Sequence, residues 1–115
     1  MPYAPDLVVM DVSFISLTKV LPAVLPCAAP RHDVLAMVKP QFEVGRGNVG
    51  KGGVVRDPDD RRAALVAVAA AAQAQGAAVL GAAPSALEGP SGNRETFLWL
   101  AESGRPGEPD EVRAW

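Results

Sequence analysis

Two short apolar segments constrain the fold of this chain most strongly. Asp6–Val12 (DLVVMDV) and Asp33–Lys39 (DVLAMVK) are nearly continuous in apolar character instead of alternating, which is typical of strands covered on both faces in a parallel sheet. Two more segments of strand length follow, Ala77–Ala82 (AAVLGA) and Glu95–Ala101 (ETFLWLA). With helices between the strands, this order predicts an α/β fold with a mainly parallel sheet and flanking helices.

The intervening segments carry helical signals. The clearest helix is predicted from Asp57 to about Gln75, with Asp57 as N-cap, Pro58 at the first helical position and Gly76 after its end. Residues 16–27 hold leucine and valine at helical spacing. Pro22 lies inside that segment, and we expect it either to kink the helix or to begin a second short one.

Length and composition limit the organisation of the chain. Its 115 residues suffice for one small domain, yet the first predicted strand begins within six residues of Met1 and only four strands are predicted in all. We therefore expect residues 1–102 to be part of a larger domain that is truncated on its N-terminal side. Residues 103–115 are polar with two prolines and are expected to form a flexible tail.

Charge and cysteine content exclude several classes. The net charge of −2 argues against nucleic-acid binding through bulk charge alone. A single cysteine, Cys27, cannot form an internal disulfide, and the N-terminus lacks a secretory leader, so a cytoplasmic location is expected. The alanine-rich stretch 63–83 is too weakly hydrophobic for a membrane span. No stable membrane association is expected, and the oligomeric state stays open.

A glycine-rich connection of about seventeen residues, 39–56, follows the second predicted strand. A loop this long inside a compact domain is usually functional or disordered. Its basic residues outnumber its single acidic residue, Glu43, so a phosphate-facing surface and a solvated flexible loop are both open interpretations. The basic residues are Lys39, Arg46, Lys51 and Arg56.

Two nucleotide-binding patterns match this connection but lack their structural context. Gly45, Gly47 and Gly50 satisfy G-x-G-x-x-G, yet no helix follows directly, as a dinucleotide fingerprint requires. Gly50 and Lys51 complete a G-x-x-x-x-G-K pattern, but Gly52 stands where a phosphate loop needs a hydroxyl. Neither pattern predicts a nucleotide site.

Three ionisable residues lie at the ends of predicted strands, where open α/β sheets place their sites. Asp11 interrupts the apolar run of the first strand, Lys39 ends the second, and Glu95 begins the fourth. Neighbouring strands lie about 4.8 Å apart, so Asp11 and Lys39 are expected to form a pair if their strands are adjacent. For each residue alone, an ordinary ion pair at a strand end remains the alternative. No metal site is predicted, because one cysteine and one histidine cannot supply the ligands.

Three motifs, in this order and spacing, resemble the C-terminal half of the TlyA or hemolysin A family. They are DLVVMDVSFISL, VLAMVKPQFEVGRGNVGKGGVVRDP and GPSGNRETFLWL, and the resemblance covers about residues 6–101. That family is similar to the FtsJ-like RNA 2′-O-methyltransferases, which use S-adenosylmethionine. The resemblance implies a Rossmann-like methyltransferase domain that acts on ribosomal RNA or ribosomal subunits.

The resemblance also implies roles for particular residues. Three members of the family's Lys-Asp-Lys-Glu tetrad match Asp11, Lys39 and Glu95. Asp11, Ser13 and Phe14 would lie near the cofactor. From their charge, we expect the loop residues to contact RNA; they are Arg46, Lys51 and Arg56.

The family's first lysine, cofactor loop and S4-like RNA-binding domain would precede Met1, so the isolated chain is expected to be inactive. Two other functions stay open beside methyl transfer. One is a non-catalytic RNA-binding module that acts through the basic loop. The other is direct membrane action, as the hemolysin name suggests, although no amphipathic segment of the required kind is present.

Overall fold

The computed structural model describes residues 4–11, 15–43, 55, 57–84 and 93–108. These residues form four strands and three α-helices, and a short 3-10 turn follows the first helix. The elements are β1 (Leu7–Met10), α1 (Leu17–Val24), the 3-10 turn Leu25–Cys27, β2 (Asp33–Val38), α2 (Pro40–Glu43), α3 (Pro58–Ala74), β3 (Ala78–Pro84) and β4 (Thr96–Ala101). The predicted strands and the two longer helices are thus present, whereas α2 was not predicted.

The four strands form one sheet in the order β1-β2-β4-β3. β1 pairs with β2 in parallel, but β4 lies between β2 and β3 and is antiparallel to both. The α/β class with flanking helices is confirmed, whereas the expectation of a mainly parallel sheet is corrected for these strands. Only eleven residues separate β3 from β4, fewer than a parallel crossover needs, so the two strands pair as antiparallel neighbours.

One face of the sheet carries the core. Side chains alternate along β2, so that Val34, Ala36 and Val38 are buried beneath α1 and α3. Leu98 and Leu100 of β4 extend the same layer. The helices contribute residues of the same layer, which are Leu17, Leu21, Val68, Ala69 and Ala72.

The opposite face of the sheet is exposed in this chain. Leu7 and Val9 of β1 are 58% and 64% exposed, and Leu35 and Trp99 are 37% and 43% exposed. The continuous apolar character of β1 and β2 predicted cover on both faces. Within the described residues only one face is covered, and no strand pairs with the outer edge of β1.

Helix α3 begins and ends where the sequence predicts. The side chain of Asp57 accepts a hydrogen bond from the Asp59 amide at 2.9 Å, and Pro58 occupies the first helical position. After the helix, Gly76 adopts a φ of +90°, which a residue with a Cβ rarely adopts. Among the described residues, no helix is both long enough and apolar enough to cross a bilayer.

Pro22 does not begin a second helix, because it lies inside α1. A proline cannot donate the hydrogen bond to the residue four positions earlier, so the helix has one fewer internal bond. The 3-10 turn with Pro26 then carries the chain away from the helix.

Part of the predicted flexible tail is attached to the sheet. Arg105 forms ion pairs with Asp33 and Glu102 and donates to the His32 carbonyl at 3.2 Å. Glu108 accepts a hydrogen bond from the Val79 amide at 3.0 Å. Residues 103–108 therefore close over the sheet edge where β2 and β3 begin and β4 ends, and residues 109–115 lie outside the described part of the chain.

Candidate functional site

The candidate site lies at the edge of the sheet where β1 and β2 end. The parallel register pairs Met10, the last residue of β1, with Ala36, which lies two residues before the end of β2. The antiparallel register pairs Val38 with Thr96, so β4 begins at the same edge. Asp11 and Lys39 directly follow their strands and Glu95 directly precedes its own. The topology therefore gathers the three predicted catalytic residues at one edge, and the predicted proximity of Asp11 and Lys39 is confirmed.

Asp11 and Lys39 form an ion pair between Lys39 Nζ and Asp11 Oδ1. The pair is asymmetric, because the side chain of Lys39 is 11% exposed whereas that of Asp11 is 60% exposed. The amine is therefore held at a protected position, while the carboxylate faces the outside. This arrangement can orient an amine toward a molecule that approaches the strand ends.

Glu95 is the buried acid of the site. It is 7% exposed, and its Oε2 atom has no hydrogen-bond partner among the described residues. Continuing the β2–β4 register by one residue places Glu95 beside Lys39. A buried acceptor without a donor costs free energy, so this oxygen is suited to accept a hydrogen bond from a bound group.

Asn93 is a buried residue that is not among the candidate site residues predicted from the sequence. It is 2% exposed, and its Oδ1 atom accepts a hydrogen bond from the Val55 amide at 2.9 Å. Arg61 of α3 donates to the Val55 carbonyl at 3.3 Å. These contacts fasten the end of the glycine-rich connection to the segment before β4. The signal for Asn93 was its place in the GNRE motif, two residues before Glu95.

Glu43 is a second polar residue of this region, and the sequence singles it out only as the one acidic residue of the glycine-rich connection. The Ser16 hydroxyl donates to its Oε1 atom, and the Leu17 amide donates to its Oε2 atom at 3.0 Å. Burial raises the pKa of Glu43, and the hydrogen bonds from Ser16 and Leu17 offset part of that effect. The carboxylate therefore joins the end of α2 to the beginning of α1. The missed signal was the helix α2, which places this acid four residues after Lys39.

Five of the predicted site residues lie outside the described part of the chain, so their positions relative to the three acids and bases above stay predictions. These are Ser13 and Phe14, expected near a cofactor, and Arg46, Lys51 and Arg56, expected to contact RNA. Within the described ranges, no group of three His, Cys, Asp or Glu side chains is arranged to hold a metal ion.

The other edge of the sheet carries a shallow apolar cavity of about 230 Å³, lined by residues that include Leu25, His32 and Glu102. This edge is also where Arg105 forms its ion pairs. Hydrogen bonding to Arg105 lowers the pKa of Glu102 to about 2. Asp33 and Glu102 are each paired with Arg105. These groups therefore stabilise the fold and do not present an unpaired charge to a ligand.

The fold and site together define an α/β domain whose charged residues meet at one edge of a mixed sheet. A family model described as FtsJ-like methyltransferase matches residues 2–102. The chain therefore belongs to the FtsJ-like methyltransferase family.

Individual relatives agree with this assignment. The chain is 57% identical over 95 residues to the 16S/23S rRNA (cytidine-2′-O)-methyltransferase TlyA of Mycobacterium tuberculosis, a match that covers 83% of this chain and 35% of the relative. It is 40% identical over 108 residues to YqxC of Bacillus subtilis, named as a candidate rRNA methyltransferase, covering 94% of this chain and 38% of the relative. The chain thus spans little more than a third of the length of these curated relatives.

A solved structure described as a candidate hemolysin from Streptococcus thermophilus superposes on this chain with a TM-score of 0.89. The two are 35% identical, and the match covers 97% of this chain and 40% of the other. The same fold therefore occurs within a longer polypeptide.

Proposed function

We propose that a polypeptide carrying this chain transfers a methyl group from S-adenosylmethionine to a ribose 2′-hydroxyl of ribosomal RNA. The observation that carries this proposal is the Asp11–Lys39 ion pair beside the buried Glu95, at the strand ends of a domain of the FtsJ-like family. The name of TlyA supports the substrate class. By itself the chain is expected to be inactive, since it spans 35% of that relative.

The proposed chemistry assigns one task to each residue of the site. A ribose hydroxyl is a weak nucleophile, so it must be oriented and lose its proton as its oxygen bonds to the methyl carbon. The bond between that carbon and the sulfonium sulfur breaks in the same step, and the sulfur leaves as a neutral thioether. Lys39, in its neutral form, is proposed to take that proton. Asp11 orients the Lys39 amine, and Glu95 accepts a hydrogen bond through its unpartnered oxygen. A positioned base typically contributes about 10²- to 10⁴-fold.

The described residues are compatible with the methyl donor. When bound, S-adenosylmethionine supplies an electrophilic methyl group on a sulfonium centre. The carboxylate of Asp11 is 60% exposed at the end of β1, so it can accept a hydrogen bond from a donor group of that molecule. Ser13 and Phe14 follow Asp11 in the chain and are proposed as further contacts with the cofactor. Arg46, Lys51 and Arg56 are proposed to contact RNA phosphates.

The exposed face of the sheet supports the proposal that residues 1–102 are part of a larger catalytic domain. Leu7, Val9 and Trp99 are among the apolar side chains that this chain leaves exposed on that face. Parallel strands in α/β proteins are normally covered on both faces. We infer that a further part of a longer polypeptide covers this face and supplies the remaining residues of the cofactor site.

The test measures transfer of labelled methyl from S-adenosylmethionine to ribosomal RNA. It uses a polypeptide of the relatives' full length that contains this chain. Lys39→Ala is expected to lower the rate by about 10² or more, whereas Lys19→Ala, which removes an exposed lysine on α1, is expected to leave it unchanged. RNA binding with unaltered methylation in Lys39→Ala would instead favour a non-catalytic RNA-binding module. Leakage of liposomes without methyl transfer would favour membrane action.

A further inference from the structure

Two sets of contacts connect the segments that follow β1 and β2. At one end, Asp11 forms its ion pair with Lys39. At the other end, Ser16 and Leu17 donate hydrogen bonds to the carboxylate of Glu43. Asp11 and Ser16 are five residues apart in the chain, and Lys39 and Glu43 are four apart. The two segments are therefore joined at both ends.

The contacts of Glu43 also cap the N-terminus of α1. Ser16 is the N-cap residue of α1, and its hydroxyl accepts a hydrogen bond from the Thr18 amide at 3.1 Å. Glu43 accepts from the Leu17 amide, which the Ser16 side chain does not reach. A carboxylate at a helix N-terminus also interacts favourably with the helix dipole. Two amides of the first turn therefore have acceptors. The Thr18 amide donates to the N-cap residue Ser16, and the Leu17 amide donates to Glu43, in the segment after Lys39.

We propose that Glu43 is a positioning residue that sets the Asp11–Lys39 pair by fixing the start of α1 against the end of α2. This inference rests on the proposed function for its catalytic consequence. The segment from Asp11 to Ser16 also contains Ser13 and Phe14, the residues predicted to contact the cofactor. Because α2 has only four residues, a contact at Glu43 constrains Lys39 through a short, ordered stretch of backbone.

The protonation behaviour of Glu43 supports a geometric role. Burial raises its pKa, so the ionised form is held at a cost that its two hydrogen bonds only partly offset. A side chain kept solely to fill space at this position would not need the charge. The contacts that Glu43 makes across the two segments are what an uncharged apolar residue cannot supply.

A thermodynamic cycle separates positioning from simple helix capping. Glu43→Ala and Asp11→Asn are combined in this chain, and the unfolding equilibrium constant is measured for each variant by urea titration. If Glu43 positions the Asp11–Lys39 pair, the unfolding equilibrium constant of the double variant differs by about threefold or more from the value that the two single effects predict when multiplied. If Glu43 only caps α1 and does not influence the pair, the two single effects on the unfolding equilibrium constant multiply to give that of the double variant. That result would overturn the proposal.

Glu108 provides the matched control. Its carboxylate likewise accepts one backbone amide, from Val79, and one side-chain donor, Gln73 at 2.9 Å, but it lies at the opposite edge of the sheet. Glu108→Ala combined with Asp11→Asn is expected to give multiplicative effects. If Glu43→Ala does not fold, Glu43→Gln takes its place in the cycle, with a smaller deviation expected because the amide still accepts from Leu17.

The catalytic consequence is measured separately in the full-length polypeptide. Glu43→Ala is expected to lower kcat by about tenfold or more with a smaller effect on KM, and Glu43→Gln to recover most of that loss. Glu108→Ala should stay within about twofold of the parent. Absence of methyl transfer in the parent itself would refute the proposed function and leave the cycle as the test of positioning. Equal rates for Glu43→Ala and Glu108→Ala would overturn the catalytic part of the inference.

Discussion

Lys39 Nζ contacts Asp11 Oδ1 across the end of the parallel β1–β2 pair, with the lysine side chain 11% exposed and the aspartate 60% exposed. The two residues are 28 positions apart in the chain, and α1 and β2 lie between them. Such an exposed carboxylate gains little from the pair, because water and salt screen the attraction. The contact therefore contributes more to orienting the amine than to folding.

Asp11→Asn is accordingly expected to change the free energy of unfolding by less than about 1 kcal/mol. In the full-length polypeptide the same substitution is expected to reduce methyl transfer by about 10² or more. Urea titration and the methylation assay measure the two effects. Asp6→Asn, an exposed aspartate before β1, is the control and should change neither. A loss of several kcal/mol in Asp11→Asn would show that the pair is structural.

The Arg105 cluster predicts a pH dependence of stability. Hydrogen bonds from Trp99 and then Arg105 lower the pKa of Asp33, and hydrogen bonding to Arg105 lowers that of Glu102 from 4.5 to about 2. Because these pKa values fall on folding, the stabilisation is present above the unfolded-state values and is lost as the pH falls toward 2.

Arg105→Met should therefore lower stability at neutral pH and flatten its dependence on pH between about 4.5 and 2. Urea titrations over a pH series measure this. Arg62→Met removes an exposed arginine of α3 and should keep the acid dependence of the parent. The explanation is wrong if Arg105→Met and the parent lose stability in parallel on acidification.

The N-cap of α3 predicts a local loss of stability. Asp57→Ala removes the acceptor for the Asp59 amide and is expected to cost about 1 kcal/mol. Asp57→Ser retains a capping oxygen and should cost less than half as much. Thermal and urea unfolding of the two variants provide the comparison, and equal losses would argue against the cap.

The exposed sheet face predicts a substitution whose effect depends on the length of the polypeptide. Leu35 is 37% exposed, so Leu35→Thr should cost no more than about 0.5 kcal/mol in this chain. If the face is covered in the full-length polypeptide, the same change should cost about 1–3 kcal/mol there. Leu98→Ala, in the buried layer, should cost about 2–5 kcal/mol in both. Equal, small effects of Leu35→Thr in both would contradict the proposed cover.

Local signals predicted α3 well because each of its ends depends on adjacent residues. Asp57, Pro58 and Gly76 act within one turn of the helix, so their effect can be recognised in sequence. The direction of β4 could not be recognised in this way. Its insertion between β2 and β3 depends on pairing between residues such as Val38 and Thr96, which are 58 positions apart.

The residues of the candidate site also differ in whether a local signal in the sequence identifies them. Asp11, Lys39 and Glu95 stood out because an ionisable residue at the end of an apolar strand is unusual and has a local cause. Glu43 and Asn93 did not, since their partners Leu17 and Val55 lie 26 and 38 residues away. A polar side chain that is satisfied by a distant backbone amide has the same sequence appearance as one that faces water.

The sequence by itself determined the positions of the four strands and the two longer helices, the ends of α3 and the identity of three ionisable residues at strand ends. These follow from periodicity, capping and the cost of burying charge, which act over a few residues. Only the tertiary structure decided that β4 runs antiparallel, that one sheet face is exposed and that Glu43 joins two strand-end segments. Those outcomes depend on which distant backbones pack together, because each contact is stable only when both partners are already in place.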